Sequence, residues 1–214
     1  RHTRYISVTG VQTCALPISQ RYFIILPDAI GHGQSSKPSD GLKAGFPRYN
    51  YADMVLAQHR LLTEHLGVKH LRLVLGNSMG GMHVWLFAQM YPGFADIAVP
   101  MAAQPVAMSG RNWAMRRLIV DTIRNDPAWQ GGNYTQQPAS ARIASVFYNL
   151  ATNGGNQALY RQAPTRAAAD ALLDQRLAAP LPADANDVLY QWDSSREDRK
   201  NTRLNSSHTD ISRM

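Results

Sequence analysis

The sequence predicts an α/β fold built on a parallel sheet. Three observations carry that prediction: the apolar runs Tyr22–Leu26, Leu71–Leu75 and Ile97–Pro100, the helix-spaced apolar residues between them, and the Gly- or Pro-marked loop that closes each run. Strand, helix, strand, helix, strand within about eighty residues fits right-handed crossover connections between parallel strands.

Tyr22-Phe23-Ile24-Ile25-Leu26 is short, continuous, and rich in aromatic and β-branched residues. It reads as a buried parallel strand that ends at Pro27-Asp28 and passes into the loop Gly31-His32-Gly33. From Tyr51 the period becomes helical: Met54, Val55, Leu61, Leu62 and Leu66 share one face, Asn50 and Asp53 stand at N-cap and N3, and Gly67 ends the run. Leu71 to Leu75 is a second strand, expected to be buried, that leads straight into Gly76-Asn77-Ser78-Met79-Gly80-Gly81. Met82 to Tyr91 has helical spacing, stops at Pro92-Gly93, and is followed by the third strand, Ile97 to Pro100.

Beyond Ala107 no strand pattern recurs. Arg111–Arg124, Ala139–Leu150 and Ala167–Leu177 read as helices and Asp126–Gln137 as a loop, so residues 107–185 are expected to form a helical cap over a core fragment of residues 20–106. Residues 186–197 are expected to be a helix returning toward the core.

The two ends read differently. Residues 1–19 resemble translated sequencing-library adapter, and residues 198–214 the same adapter read on the other strand. A codon choice for Val8 to Ile18, reverse-complemented, translates as Asp-Arg-Lys-Ser-Thr-Arg-Leu-Asn-Ser-Ser-His; Asp198–His208 agrees at ten of eleven positions, with Asn201 the exception. No fold is expected for either end, and the chain is expected to be a fragment. The rival reading of the N-terminus, a secretory signal, fails because its apolar stretch is too short and is broken by Pro17.

Charge follows from this reading. The whole chain of 214 residues carries 22 Lys+Arg against 15 Asp+Glu, net +7; residues 20–197 alone carry 16 and 13, net +3. The basic balance that would suggest a nucleic-acid partner therefore falls away, and none is expected. No apolar run is long enough to span a membrane, and the lone Cys14 supports neither a disulfide framework nor a cysteine zinc site. A cytoplasmic protein without metal or cofactor is the expectation.

Gly76-x-Ser78-x-Gly80 carries the chemistry. Between a strand and a helix this pattern makes a nucleophile elbow: a tight turn lifts the Ser78 hydroxyl above the sheet, and Gly76, Asn77, Gly80 and Gly81 form the bend around it. The backbone N–H of Met79, at the start of the following helix, is placed to donate to a developing oxyanion. His83 reads as a packed helix residue and His32 as a structural loop residue. His59, His65 and His70 lack metal-ligand spacing. Arg111, Arg116, Arg117 and Arg124 read as a solvated helix face, and Asn133-Tyr134-Thr135 as a glycosylation pattern without function.

On these residues the chain resembles the α/β-hydrolase fold family, and within it the homoserine O-acetyltransferase-like branch. Gly76-Asn77-Ser78-Met79-Gly80-Gly81-Met82, Asp53-Met54-Val55-x-Ala57-Gln58 and Asn125-Asp126-Pro127-x-Trp129-x-Gly131-Gly132-x-Tyr134 are similar to that branch's pattern. The resemblance implies that Ser78 forms an acyl-enzyme intermediate, activated by a His that an Asp orients, on a small-molecule ester or thioester. One departure bears on the substrate: Ile30-Gly31-His32-Gly33-Gln34-Ser35 has the form more usual in plain hydrolases than the double-glycine loop of the acetyltransferases. The expectation is thus a hydrolase or acyltransferase. Homoserine O-acetyltransferase with acetyl-CoA as co-substrate, and a non-catalytic binding relative, stand as alternatives; a homodimer paired through the cap is implied by the resemblance. In the family the triad acid and base follow later strands and the second oxyanion donor precedes Tyr22. Asp184, Asp187 and Asp193 are therefore not nominated, and the chain by itself is expected to be inactive.

Overall fold

The computed structural model describes residues 20–152, 154–181 and 183–196. Both adapter-like segments, 1–19 and 198–214, lie outside the described residues. Helix α1 spans Tyr51–Arg60 and begins as its sequence requires: Asn50 Oδ1 accepts the Asp53 N–H at 3.0 Å, and Asp53 Oδ2 accepts the Asn50 N–H at 3.0 Å. Two donors that the helix itself leaves unpaired are thereby satisfied. Asn50→Ala should cost about 1 kcal/mol of stability, measured as a lower urea midpoint at unchanged slope.

The helix continues past Arg60 as a π turn, Leu61–His65, with Leu66 N–H donating to the Leu61 carbonyl at 3.0 Å. Gly67, at φ +66, then reverses the chain in a backbone conformation that glycine adopts without penalty.

Strand β1 (Leu71–Asn77), helix α2 (Met79–Met90) and strand β2 (Ala95–Met101) form one crossover unit. The two strands pair in parallel, Leu71 against Ala95, Leu75 against Val99 and Asn77 against Met101. Helix α2 packs on both strands and on α1, and Val55, Leu62 and Phe87 are buried between them with Ile25, Val68 and Phe94 at the margin.

Two sequence expectations need correction. Tyr22–Leu26 forms no strand: its backbone is irregular, Tyr22 and Phe23 are exposed, and only Ile25 reaches the core. A strand exists through its ladder, and no described residue supplies this segment with a hydrogen-bonded neighbour. The second correction concerns burial. Strand β1 is not buried on both faces, since Leu73 and Leu75 are exposed, as is Ile97 of β2. Helix α2 covers one face of the sheet and nothing among the described residues covers the other.

Among the described residues five α-helices follow: α3 (Gly110–Arg124), α4 (Ala139–Thr152), α5 (Asn156–Gln162), α6 (Arg166–Ala178) and α7 (Ala185–Asp193). The short α5, behind Gly154-Gly155, had no sequence expectation; its seven residues carry too little periodicity to declare it. Ile119, Ile123, Tyr134, Ala141, Ala144, Ala185 and Leu189 make a second core, separate from that of the sheet. Helix α7 closes this core and also holds the loop that leads to α1. The Asp187 carboxylate accepts Ser39 N–H at 2.9 Å and Ser39 Oγ–H at 2.6 Å, and Tyr190 O–H donates to the Phe46 carbonyl at 2.9 Å.

Candidate active site

The chain turns from β1 into α2 within a single residue, Ser78. Its backbone lies at φ +54, ψ −115, a region that a residue with a Cβ enters only under strain. Two backbone contacts hold it there. Ser78 N–H donates to the Met101 carbonyl at the end of β2 (2.9 Å), and the Ser78 carbonyl accepts the Met82 N–H (3.0 Å), the first bond of the helix. The Ser78 residue is exposed and its side chain makes no hydrogen bond to any described residue.

The bend closes only because specific glycines lack side chains. A Cβ on Gly76 would lie 2.3 Å from the Gly80 carbonyl carbon and oxygen. A Cβ on Gly81 would lie 2.6 Å from Ala103 Cβ and 2.7 Å from the Met101 carbonyl oxygen. A Cβ on Gly80 would meet nothing within 4 Å. The crowding at the bend falls on Gly76 and Gly81, and Gly80 contributes the backbone that Gly76 must pass. Asn77 is exposed on the lip of the turn. Met79 is the first residue of α2, and like every first-turn N–H its amide has no acceptor within its own helix.

Sequence reasoning missed the clasp from β2, because Met101 and Ala103 meet the elbow across the β1–α2–β2 crossover and carry no local signal. It also missed the burial of His83 against Tyr51. His83, in the second turn of α2, is 6% exposed, meets Tyr51 edge-on with ring centroids 5.0 Å apart, and leaves Nε2 without a partner. Burial pushes its pKa down to about 4, and the neighbouring His32 adds to the shift. His32 donates from Nδ1 to the Ile30 carbonyl at 3.0 Å, and its Nε2 is likewise buried and unpartnered. Neither imidazole hydrogen-bonds Ser78.

Several other residues that the sequence singled out have structural partners. His59 stacks on Tyr91 at 3.6 Å, and His70 meets Asp96 at 2.7 Å. Arg117 pairs with Asp121, Arg116 lies over the Trp192 ring, and Arg124 reaches Asp193 at 2.8 Å. Asp184 caps α7 and accepts from Tyr134 O–H. No group of three or more metal-binding side chains occurs among the described residues.

Residues 10–158 match the alpha/beta hydrolase fold family. The chain is 38% identical over 139 residues to a homoserine O-acetyltransferase of Trichormus variabilis, covering 59% of this chain and 37% of that protein. It is 37% identical over 125 residues to an ethyl acetate hydrolase of Pseudomonas veronii, covering 56% and 36%. Among solved structures the acetyl esterase MekB superposes with a TM-score of 0.62 at 28% identity, over 78% of this chain and 51% of that one. The chain thus spans less than two-fifths of the length of these two sequence relatives and about half of the solved one.

Proposed function

Because the chain belongs to the alpha/beta hydrolase fold family, we propose that Ser78 is the nucleophile of an acyl-transfer enzyme whose acyl group is short. The single observation that carries this reading is the Ser78 hydroxyl, exposed and unpartnered on a strained turn between strand and helix. Its Oγ attacks the substrate carbonyl, and its proton passes to a general base. The carbonyl oxygen takes up negative charge beside the Met79 N–H at the positive end of α2. Collapse of that adduct breaks the carbonyl carbon's bond to the leaving oxygen or sulfur, the leaving group takes the proton, and an acyl-Ser78 ester remains. Water or an acceptor hydroxyl then releases the acyl group.

No imidazole among the described residues hydrogen-bonds Ser78, and neither His83 nor His32 is proposed as its base. The names of the relatives support an acetyl group, since the hydrolase, the esterase and the acetyltransferase all handle one. Hydrolysis of an acetate ester is the preferred reaction, on the strength of the Gly31-His32-Gly33 loop. Homoserine O-acetylation from acetyl-CoA is the second reading, favoured by the sequence identity to that enzyme.

The test uses the gene product at its full length. A fluorophosphonate should label Ser78, as mapped by mass spectrometry, and Ser78→Ala should lose the label together with at least about a thousandfold of p-nitrophenyl acetate turnover. Labelling elsewhere, or turnover that survives the substitution, would defeat the proposal. Acetyl transfer from acetyl-CoA to homoserine without ester hydrolysis would select the second reading.

A further inference from the structure

Between the loop that precedes α1 and the helices α3 and α7 lies a cleft of about 170 Å³ whose lining includes none of residues 76–81. Its walls are aromatic: Phe46 meets Tyr49 edge-on at 6.1 Å and Tyr190 at 5.9 Å. Its rim carries Arg48, Arg124 and Asp193. The Asp193 carboxylate is approached by Arg124 at 2.8 Å, Arg196 at 3.6 Å and Arg48 at 3.8 Å, so one negative charge stands among three positive ones. Arg48 is the cation in surplus. Its side chain is 77% exposed, its distance to Asp193 exceeds a hydrogen bond, and it donates to no described residue.

We propose that this cleft binds a small carboxylate ligand with a flat apolar body. A cavity of about 150 Å³ encloses a benzene ring, so the volume here admits one six-membered ring against Tyr49 and Tyr190. The guanidinium of Arg48 supplies the planar pair of donors that a carboxylate accepts. Asp193 does not oppose this, because Arg124 and Arg196 already offset its charge and leave the rim net positive. The inference is independent of the chemistry at Ser78.

Isothermal titration of the full chain with benzoate at low ionic strength tests it, with benzamide as the uncharged analogue of the same shape. Benzoate should saturate, and benzamide should bind at least about tenfold more weakly, a difference of about 1.4 kcal/mol. Arg48→Ala should weaken benzoate by a similar factor at unchanged melting temperature, as expected for an exposed side chain, and Arg48→Gln repeats the test with most of the stem retained. The proposal is overturned by equal binding of benzoate and benzamide, by variants that bind within about twofold of the parent, or by no saturation below about 10 mM benzoate.

Discussion

Gly76→Ala is expected to destabilise the protein by about 3 kcal/mol or more and to displace Ser78, whereas Gly80→Ala is expected to leave stability unchanged or slightly raised. The added methyl at Gly76 would stand 2.3 Å from two backbone atoms of Gly80, and neither can rotate away as a side chain could. Relief requires β1 and α2 to separate, which breaks the Ser78 N–H bond to Met101 and loosens the Gly81 contact with Ala103. Overpacking of this kind costs about 1–3 kcal/mol where side chains can yield and more where only backbone can. At Gly80 the methyl enters open space inside a helix, where alanine is preferred over glycine by up to about 1 kcal/mol. Urea unfolding of the two variants distinguishes them. Equal midpoints would mean that the elbow is not closed by this contact.

The second large effect is a pH dependence carried by His83. Its folded-state pKa is depressed from 6.5 to about 4, chiefly because burial disfavours the imidazolium, with His32 adding to the shift. The unfolded state therefore binds a proton between about pH 6.5 and pH 4 that the folded state refuses. Stability from this group is complete above pH 6.5, falls as the pH drops, and is lost by about pH 4. A shift of this size corresponds to about 3 kcal/mol. His83→Phe keeps a ring against Tyr51 and removes the titration. The stability of the variant relative to the parent should therefore rise by about that amount from pH 7 to pH 4, read from urea midpoints at each pH. A constant difference across that range would place the His83 pKa near its ordinary value.

Much of the fold and the centre of the site were legible in the sequence because they depend on neighbours along the chain. Asn50 and Asp53 cap α1 from three residues apart, Gly67 reverses the backbone where the helix ends, and the strand, Ser78 and helix are contiguous. The π turn at Leu61–His65 and the short helix α5 escaped notice for the opposite reason, since neither alters the apolar period enough to be read.

The sequence by itself determined the parallel crossover, the sharp bend at Ser78 and the helices at 110–124, 139–152, 166–178 and 185–193, because each follows from side-chain period and backbone preference within a few residues. Only the tertiary structure decided that Gly76 and Gly81 carry the crowding while Gly80 does not, that Tyr22–Leu26 has no ladder among the described residues, that His83 lies buried beside His32, and that Arg48 and Asp193 meet over an aromatic cleft. Apart from the approach of Gly76 to Gly80, those outcomes depend on contacts between segments about twenty to more than a hundred residues apart. The chain encodes such contacts only through packing as a whole, so no local pattern of residues announces them.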